Sequence, residues 1–145
     1  MTKPDTENAI DSPPLPRCLY TANAPKPIGH YCQGVVAGGF IFICGQGGFS
    51  PDGSPVSGGA AKEARQAIKN IAAILGTAGV GLRQVVRITI YYSDIRDGAE
   101  VNKVYEEMFK FSDGYKPARM VLQVANPPVS GTRVWLDAQA VLREP

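Results

Sequence analysis

Histidine and cysteine are scarce in this 145-residue chain: it has one histidine, His30, and three cysteines, Cys18, Cys32 and Cys44, with no CxxC pair. A structural zinc site, which needs clustered Cys and His ligands at characteristic spacing, has no support. The odd cysteine count predicts reduced thiols in a cytoplasmic protein rather than a disulfide framework. A charge excess of one sign is missing as well. Fifteen Lys and Arg against 13 Asp and Glu leave a formal +2, too little for a concentrated phosphate-binding surface, and no charged block directs the chain to anionic lipid. Long apolar runs are also wanting. The longest such stretch, Gly34 to Gly45, falls short of the roughly 20 residues that span a bilayer, and no basic-then-apolar N-terminus marks a targeting segment. GxGxxG, P-loop, HExxH and GxSxG motifs are all missing, which leaves dinucleotide, nucleotide and zinc-protease readings without a foothold.

What is present is enough for one compact domain: 44% of residues are apolar, and the length suits a single core. Six of the 12 prolines fall in the first 27 residues, and residues 1–16 lack apolar periodicity. They are expected to form a flexible arm, followed by a domain over 17–145. Arg17 to Thr21 is a short strand candidate. Tyr31 to Ala37 and Phe40 to Cys44, joined by Gly38-Gly39, predict a β-hairpin. Gln46 to Gly59 is turn chemistry throughout. Apolar residues at 64, 67, 68, 71, 74, 75 and 78 lie on one face of a helix that Gly79 would stop. Val85 to Tyr92 is β-branched and aromatic, which favours a strand. Asp97 and Glu100 resemble a capping box ahead of a second apolar helix face at Val101, Val104, Tyr105, Met108 and Phe109. Strands over 118–125 and 133–142 complete a β-β-β-α-β-α-β-β order, an α+β fold whose sheet packs two helices on one face.

Two helices cover only one face of such a sheet, yet Phe40, Ile41, Phe42 and Ile43 are apolar at both parities. The uncovered face is therefore expected to meet another copy of the chain.

A few polar residues stand among the apolar strands. Arg119 precedes the run Met120-Val121-Leu122. A guanidinium there either pairs with an acid of its own fold or serves as a planar fork for a ligand carboxylate. Cys44-Gly45-Gln46 ends an apolar strand, where a glycine allows close backbone approach to a ligand. Taken singly, the alternative there is a buried thiol followed by a turn. Tyr31 and Asn102 offer hydrogen-bonding groups, although each is equally at home in packing or in solvent.

Together these residues carry a resemblance. The segment Asn23-Ala24-Pro25-Lys26-Pro27-Ile28-Gly29-His30-Tyr31-Cys32-Gln33 resembles the N-A-P-x-x-I-G-x-Y-x-Q opening of the Rid family, the reactive-intermediate deaminases also called YjgF. Ile43-Cys44-Gly45-Gln46 is similar to its S-G-Q strand end, Val101-Asn102-x-x-Tyr105 to its V-N-x-x-Y helix, and Pro117-Ala118-Arg119 to its P-A-R strand. All four occur in the family's order, over about Arg17 to Arg143. The resemblance implies a chorismate-mutase-like α+β fold with a mixed sheet, assembled as a homotrimer with three clefts between subunits. It also implies hydrolysis of amino-acid-derived enamines and imines to a keto acid and ammonia, with neither a metal nor an organic cofactor. Arg119 would then bind the substrate carboxylate, while Tyr31, Asn102 and the backbone at Cys44 and Gly45 line the cleft.

One departure bears on mechanism. In deaminating members the last strand reads E-I-E-A-I-A, and its first glutamate handles the attacking water. Here the aligned stretch is Trp135-Leu136-Asp137-Ala138-Gln139-Ala140, so an indole replaces that carboxylate. Asp137, two residues on and on the same strand face, is the candidate substitute acid. Trp135 itself is expected to fill the subunit interface, which is compatible with a pocket for a larger, more apolar substrate, for instance a 2-aminomuconate-like intermediate. The alternatives are a tailoring enzyme performing tautomerisation or addition–elimination, and a non-catalytic ligand-binding regulatory trimer. An endoribonuclease role ranks below these, because the chain lacks a basic stripe with interleaved aromatics.

Overall fold

The computed structural model describes residues 14–142. Of the predicted arm, only Pro14, Leu15 and Pro16 fall within that range, exposed and without regular structure; residues 1–13 and 143–145 lie outside it. Among the described residues no helix is long and apolar enough to cross a membrane.

The elements run β1 (Arg17–Leu19), β2 (Gly34–Ala37), β3 (Phe40–Gln46), α1 (Ala60–Gly76), β4 (Val85–Tyr92), α2 (Gly98–Met108), β5 (Ala118–Gln123) and β6 (Val134–Val141). The predicted order holds. Several boundaries shift: β1, β5 and β6 are each one or two residues shorter at an end than expected. The hairpin strand starts at Gly34 rather than Tyr31, because residues 20–33 form an irregular loop, and β3 runs on through Gln46. The capping box at Asp97 does not form. Asp97 makes no side-chain cap bond; its carboxylate is engaged by Arg133, with Nε to Oδ2 and Nη2 to Oδ1 both at 2.9 Å. A bidentate guanidinium outcompetes a backbone N–H for the same oxygens.

The six strands form one mixed sheet in the order β1-β2-β3-β6-β4-β5, in which β4 and β5 pair in parallel and the other neighbours are antiparallel. Alternation assigns the two faces. Ile41, Ile43, Ile88, Ile90, Leu136, Ala138 and Ala140 are buried in one core with Ala64, Ala67, Ile68, Ile71, Ile74 and Leu75 of α1 and Val101 and Tyr105 of α2. The apolar stripe read from the sequence of α1 is thus the stripe it buries. Val80 N–H reaches back to the Leu75 carbonyl, and Gly79, at φ 75°, turns the chain out of the helix. The opposite sheet face carries Phe40, Phe42, Met120 and Leu122, which are 45%, 43%, 52% and 36% exposed. This is the uncovered apolar face expected from the strand pattern.

The thiol expectation is overturned at one pair. Cys18 and Cys32 are joined as a disulfide, with Cα atoms 5.6 Å apart, and among the described residues only Cys44 is free. Cys18 sits on β1, and the chain returns beside it on the way into β2, which places the two residues within bonding range. A 14-residue separation belongs to no short cysteine motif, so counting and spacing did not reveal it.

Candidate active site

Strand β3 is where the sheet becomes a site. Ile43 faces Ala138 and Gln46 faces Leu136: three steps along β3 match two along β6. The extra residue is a β-bulge, which bends the strand and re-aims its side chains. Cys44 and Gly45 occupy the bulge. The Cys44 N–H donates to the Gln33 carbonyl at 2.9 Å, and Gln46 Nε2 lies 3.2 Å from Cys44 Sγ. Burial pushes the Cys44 thiol pKa up, against a smaller opposing effect of the Gln46 contact, so the sulfur stays protonated and poorly nucleophilic at neutral pH.

Beside the bulge opens a cavity of about 250 Å³, walled chiefly by Tyr31, Cys44, Gly45, Phe49, Trp135 and the Pro25–Ile28 loop. Trp135 is fixed on three sides. Its Nε1–H donates to Thr132 Oγ1 at 2.8 Å, Phe49 packs on it with ring centroids 5.8 Å apart, and the backbone of Gly47 lies against the indole. A Cβ at Gly47 would stand 2.9 Å from Trp135 Cζ2, so only glycine fits there without displacing the ring. Gly48 is confined from the other side, where a Cβ would stand 2.6 Å from the Glu63 backbone.

The Pro25–Ile28 wall belongs to the loop between β1 and β2, which is organised by a residue that candidate selection passed over. Gln33, 1% exposed, accepts from Thr21 N–H at 2.7 Å and points Nε2 at the carbonyls of Thr21, Ala24 and Pro25 at 3.1, 3.3 and 2.8 Å. Its position at the end of the N-A-P motif was the available signal. Tyr31 Oη closes a smaller turn by accepting from Ile28 N–H at 3.1 Å.

The remaining candidates lie apart from this cavity. Arg119, on edge strand β5, is paired in register with Ile88 and therefore points to the helix side of the sheet. Its Nη1 donates to Asn102 Oδ1 at 2.9 Å, and its Cζ lies 4.8 Å from the Tyr105 ring centroid. No carboxylate of the described residues forms an ion pair with it. Asp137 lies on the open face, two residues along β6 from Trp135, and its Oδ2 accepts from Tyr91 Oη at 2.8 Å. Burial and the neighbouring carboxylate both raise the Tyr91 pKa, so the phenol remains a proton donor to Asp137. Within one chain, then, Tyr31, Cys44, Gly45 and Trp135 share the cleft; Asn102 and Arg119 form a second group; Asp137 stands outside both.

A second buried acid was not singled out from sequence. Glu63 on α1 is 8% exposed, and its Oε1 accepts from the Arg133 N–H at 3.1 Å. Burial raises its pKa, with the Arg133 interactions opposing.

The Endoribonuclease L-PSP family model matches residues 21–142. A human 2-iminobutanoate/2-iminopropanoate deaminase is 43% identical over 126 residues, covering 86% of this chain and 89% of the relative. A RutC family protein of Pyrococcus horikoshii is 44% identical over 111 residues, covering 76% and 86%. Among solved structures, the YjgF gene product of E. coli superposes with a TM-score of 0.81 at 35% identity, over 88% of this chain and 99% of the other. With the four sequence motifs now located on the bulged strand, the cleft loop, α2 and β5, this chain belongs to the Rid (YjgF) family.

Proposed function

We propose that this protein is a metal-independent imine and enamine deaminase that hydrolyses a small carboxylate-bearing substrate to a keto acid and ammonia. The carrying observation is the setting of Arg119. Its geometry is fixed by an amide oxygen and an aromatic face, and neither neutralises its charge, so the guanidinium stays available for an anion. The deaminase names borne by relatives about 40% identical support the same reaction class.

Because the cleft and Arg119 sit apart in one chain, the reading includes a homotrimer in which the open apolar face is covered and neighbouring subunits bring the two halves of each site together. Arg119, oriented by Asn102, holds the substrate carboxylate. Tyr31 and the bulge at Cys44 and Gly45 line the imine end of the cleft. The imine carbon is already electrophilic, so positioning it and moving a proton suffice. Trp135, Phe49 and the two prolines make the pocket apolar, which favours a substrate bulkier than 2-aminoacrylate. Asp137, with Tyr91 behind it, is the group assigned to proton transfer in place of the family glutamate.

The test is ammonia release from freshly generated 2-iminopropanoate and from the imines of leucine and phenylalanine. Turnover is expected with preference for the larger imines, and Arg119→Ala should reduce kcat/KM by about a hundredfold or more. Activity unchanged in that variant refutes the carboxylate anchor, and full activity in Asp137→Asn refutes the proton-transfer role.

A further inference from the structure

Residues 20–33 are a loop held at two points. Gln33 fastens its inside through the carbonyls of Thr21, Ala24 and Pro25, and the Cys18–Cys32 disulfide closes its neck. Between these fasteners the loop supplies Pro25, Lys26, Pro27, Ile28 and Tyr31 to the cleft wall, and Tyr31 is bonded directly to the bridged Cys32. Covalent closure therefore acts on the same few residues that shape the cavity. The bridge is not sequestered in the core. Cys18 is exposed on β1, and Cys32 is half-buried. An accessible disulfide joining an edge strand to a loop is open to exchange, whereas a bond serving only core stability is usually shielded.

We infer that Cys18–Cys32 is a reversible thiol-redox site that sets the order of loop 20–33 and through it the affinity of the cleft. In the oxidised state the wall made by Pro25–Ile28 and Tyr31 is held in its binding geometry. A dithiol reductant opens it. Its thiolate attacks one sulfur of the bridge, the displaced cysteine thiolate takes up a proton, and the reductant's second thiol resolves the mixed disulfide. Two electrons and two protons pass to the protein, and the reductant leaves as its own cyclic disulfide. Loop 20–33 then keeps only its hydrogen bonds, the Gln33 clamp and the Tyr31–Ile28 turn. The sheet and α1 are untouched, because neither cysteine belongs to the buried core. Less preorganisation of the wall weakens ligand binding without unfolding the protein. The consequence for ligands rests on the cleft being the carboxylate site proposed above, whereas the ordering of the loop does not.

The full chain is compared after equilibration with oxidised glutathione and with dithiothreitol. Non-reducing peptide mapping should show a Cys18–Cys32 link only in the first. Amide hydrogen exchange over residues 20–33 should quicken on reduction by about tenfold or more, as expected when a covalent loop closure is released, while exchange over residues 60–76 stays constant. Pyruvate, a keto-acid probe, should bind several-fold more weakly to the reduced form. Cys18→Ser/Cys32→Ser should behave as the reduced protein and ignore dithiothreitol; should it fail to fold, the two states of the natural chain still decide. A bridge that never forms, or identical exchange in both states, overturns the inference. Altered exchange with no pyruvate binding in either state upholds the redox site and overturns the carboxylate reading alone.

Discussion

Gln33→Ala should be the most damaging single truncation in the cleft loop, and its size follows from the hydrogen-bond inventory. The side chain has one carbonyl acceptor and two amide hydrogens, but it lies within bonding distance of four backbone groups. Two hydrogens shared among three carbonyls make about two effective bonds, the 3.3 Å contact to Ala24 being the weakest, and the bond accepted from Thr21 N–H makes the third. At about 1 kcal/mol net for each bond, the loss is about 3 kcal/mol. Partial access of water to the Thr21 and Pro25 carbonyls lowers this, and the cavity left by a side chain only 1% exposed raises it. The result should fall at about 2–4 kcal/mol. The assay is urea denaturation of the oxidised protein at one fixed chain concentration, since assembly would make the midpoint concentration-dependent. Gln33→Glu sharpens the test. Glutamate keeps the acceptor for Thr21 N–H but turns a carboxylate toward three carbonyls, so at neutral pH it should destabilise at least as much as alanine and recover in acid as it protonates. A loss below about 1 kcal/mol for Gln33→Ala, or a Gln33→Glu protein as stable as the parent at neutral pH, refutes the assignment of Gln33 as the loop's organiser.

Two further outcomes are expected. Glu63 has a folded-state pKa raised by burial, so the native state holds its proton more tightly than the unfolded chain does. Its favourable contribution is complete below the unfolded pKa and is lost as pH rises through the folded one. Glu63→Gln, which preserves an acceptor for the Arg133 N–H, should flatten the stability profile above the usual glutamate pKa and match or exceed the parent at neutral pH; denaturation midpoints across mildly acidic to neutral pH check this. Gly47→Ala places a methyl 2.9 Å from the rigid Trp135 ring, an overpacking expected to cost about 1–3 kcal/mol. Tryptophan fluorescence should report the displaced indole, Trp135 being the only tryptophan, and an unchanged spectrum with unchanged stability would contradict the geometry.

The sheet and both helices were readable because they are written in periodicity. The α1 stripe at 64, 67, 68, 71, 74 and 75 is local, and the burial of those residues follows from it. The apolar residues of both parities in β3 likewise announced a sheet with two apolar faces. What stayed hidden depends on partners distant in sequence. Asp97 looked like a cap because Glu100 is near it; Arg133, which claims it, is 36 residues away. The disulfide depends on how a loop returns to an edge strand, which no cysteine spacing encodes. The site was legible in pieces. Arg119 was noticed because a charge interrupts an apolar strand, and motifs in order gave Tyr31, Cys44, Gly45 and Asn102. Phe49 and Thr132, which fix the indole, carry no pattern of their own, since their roles exist only once Trp135 is in place.

The bulge between Ile43 and Gln46 has a consequence for how this protein tolerates change. Upstream, β3 is locked to β2 and β6 at matched positions; downstream, Gly47 and Gly48 are wedged against Trp135 and Glu63. The one surplus residue absorbs the mismatch between these two fixed frames. Chain length here is therefore a stricter constraint than residue identity. Deleting a single residue from the bulge would leave Gln46 opposite Leu136 but restore regular pairing between Ile43 and Gln46, removing the bend that aims Cys44 and Gly45 at the cleft and so closing it by backbone path rather than by chemistry.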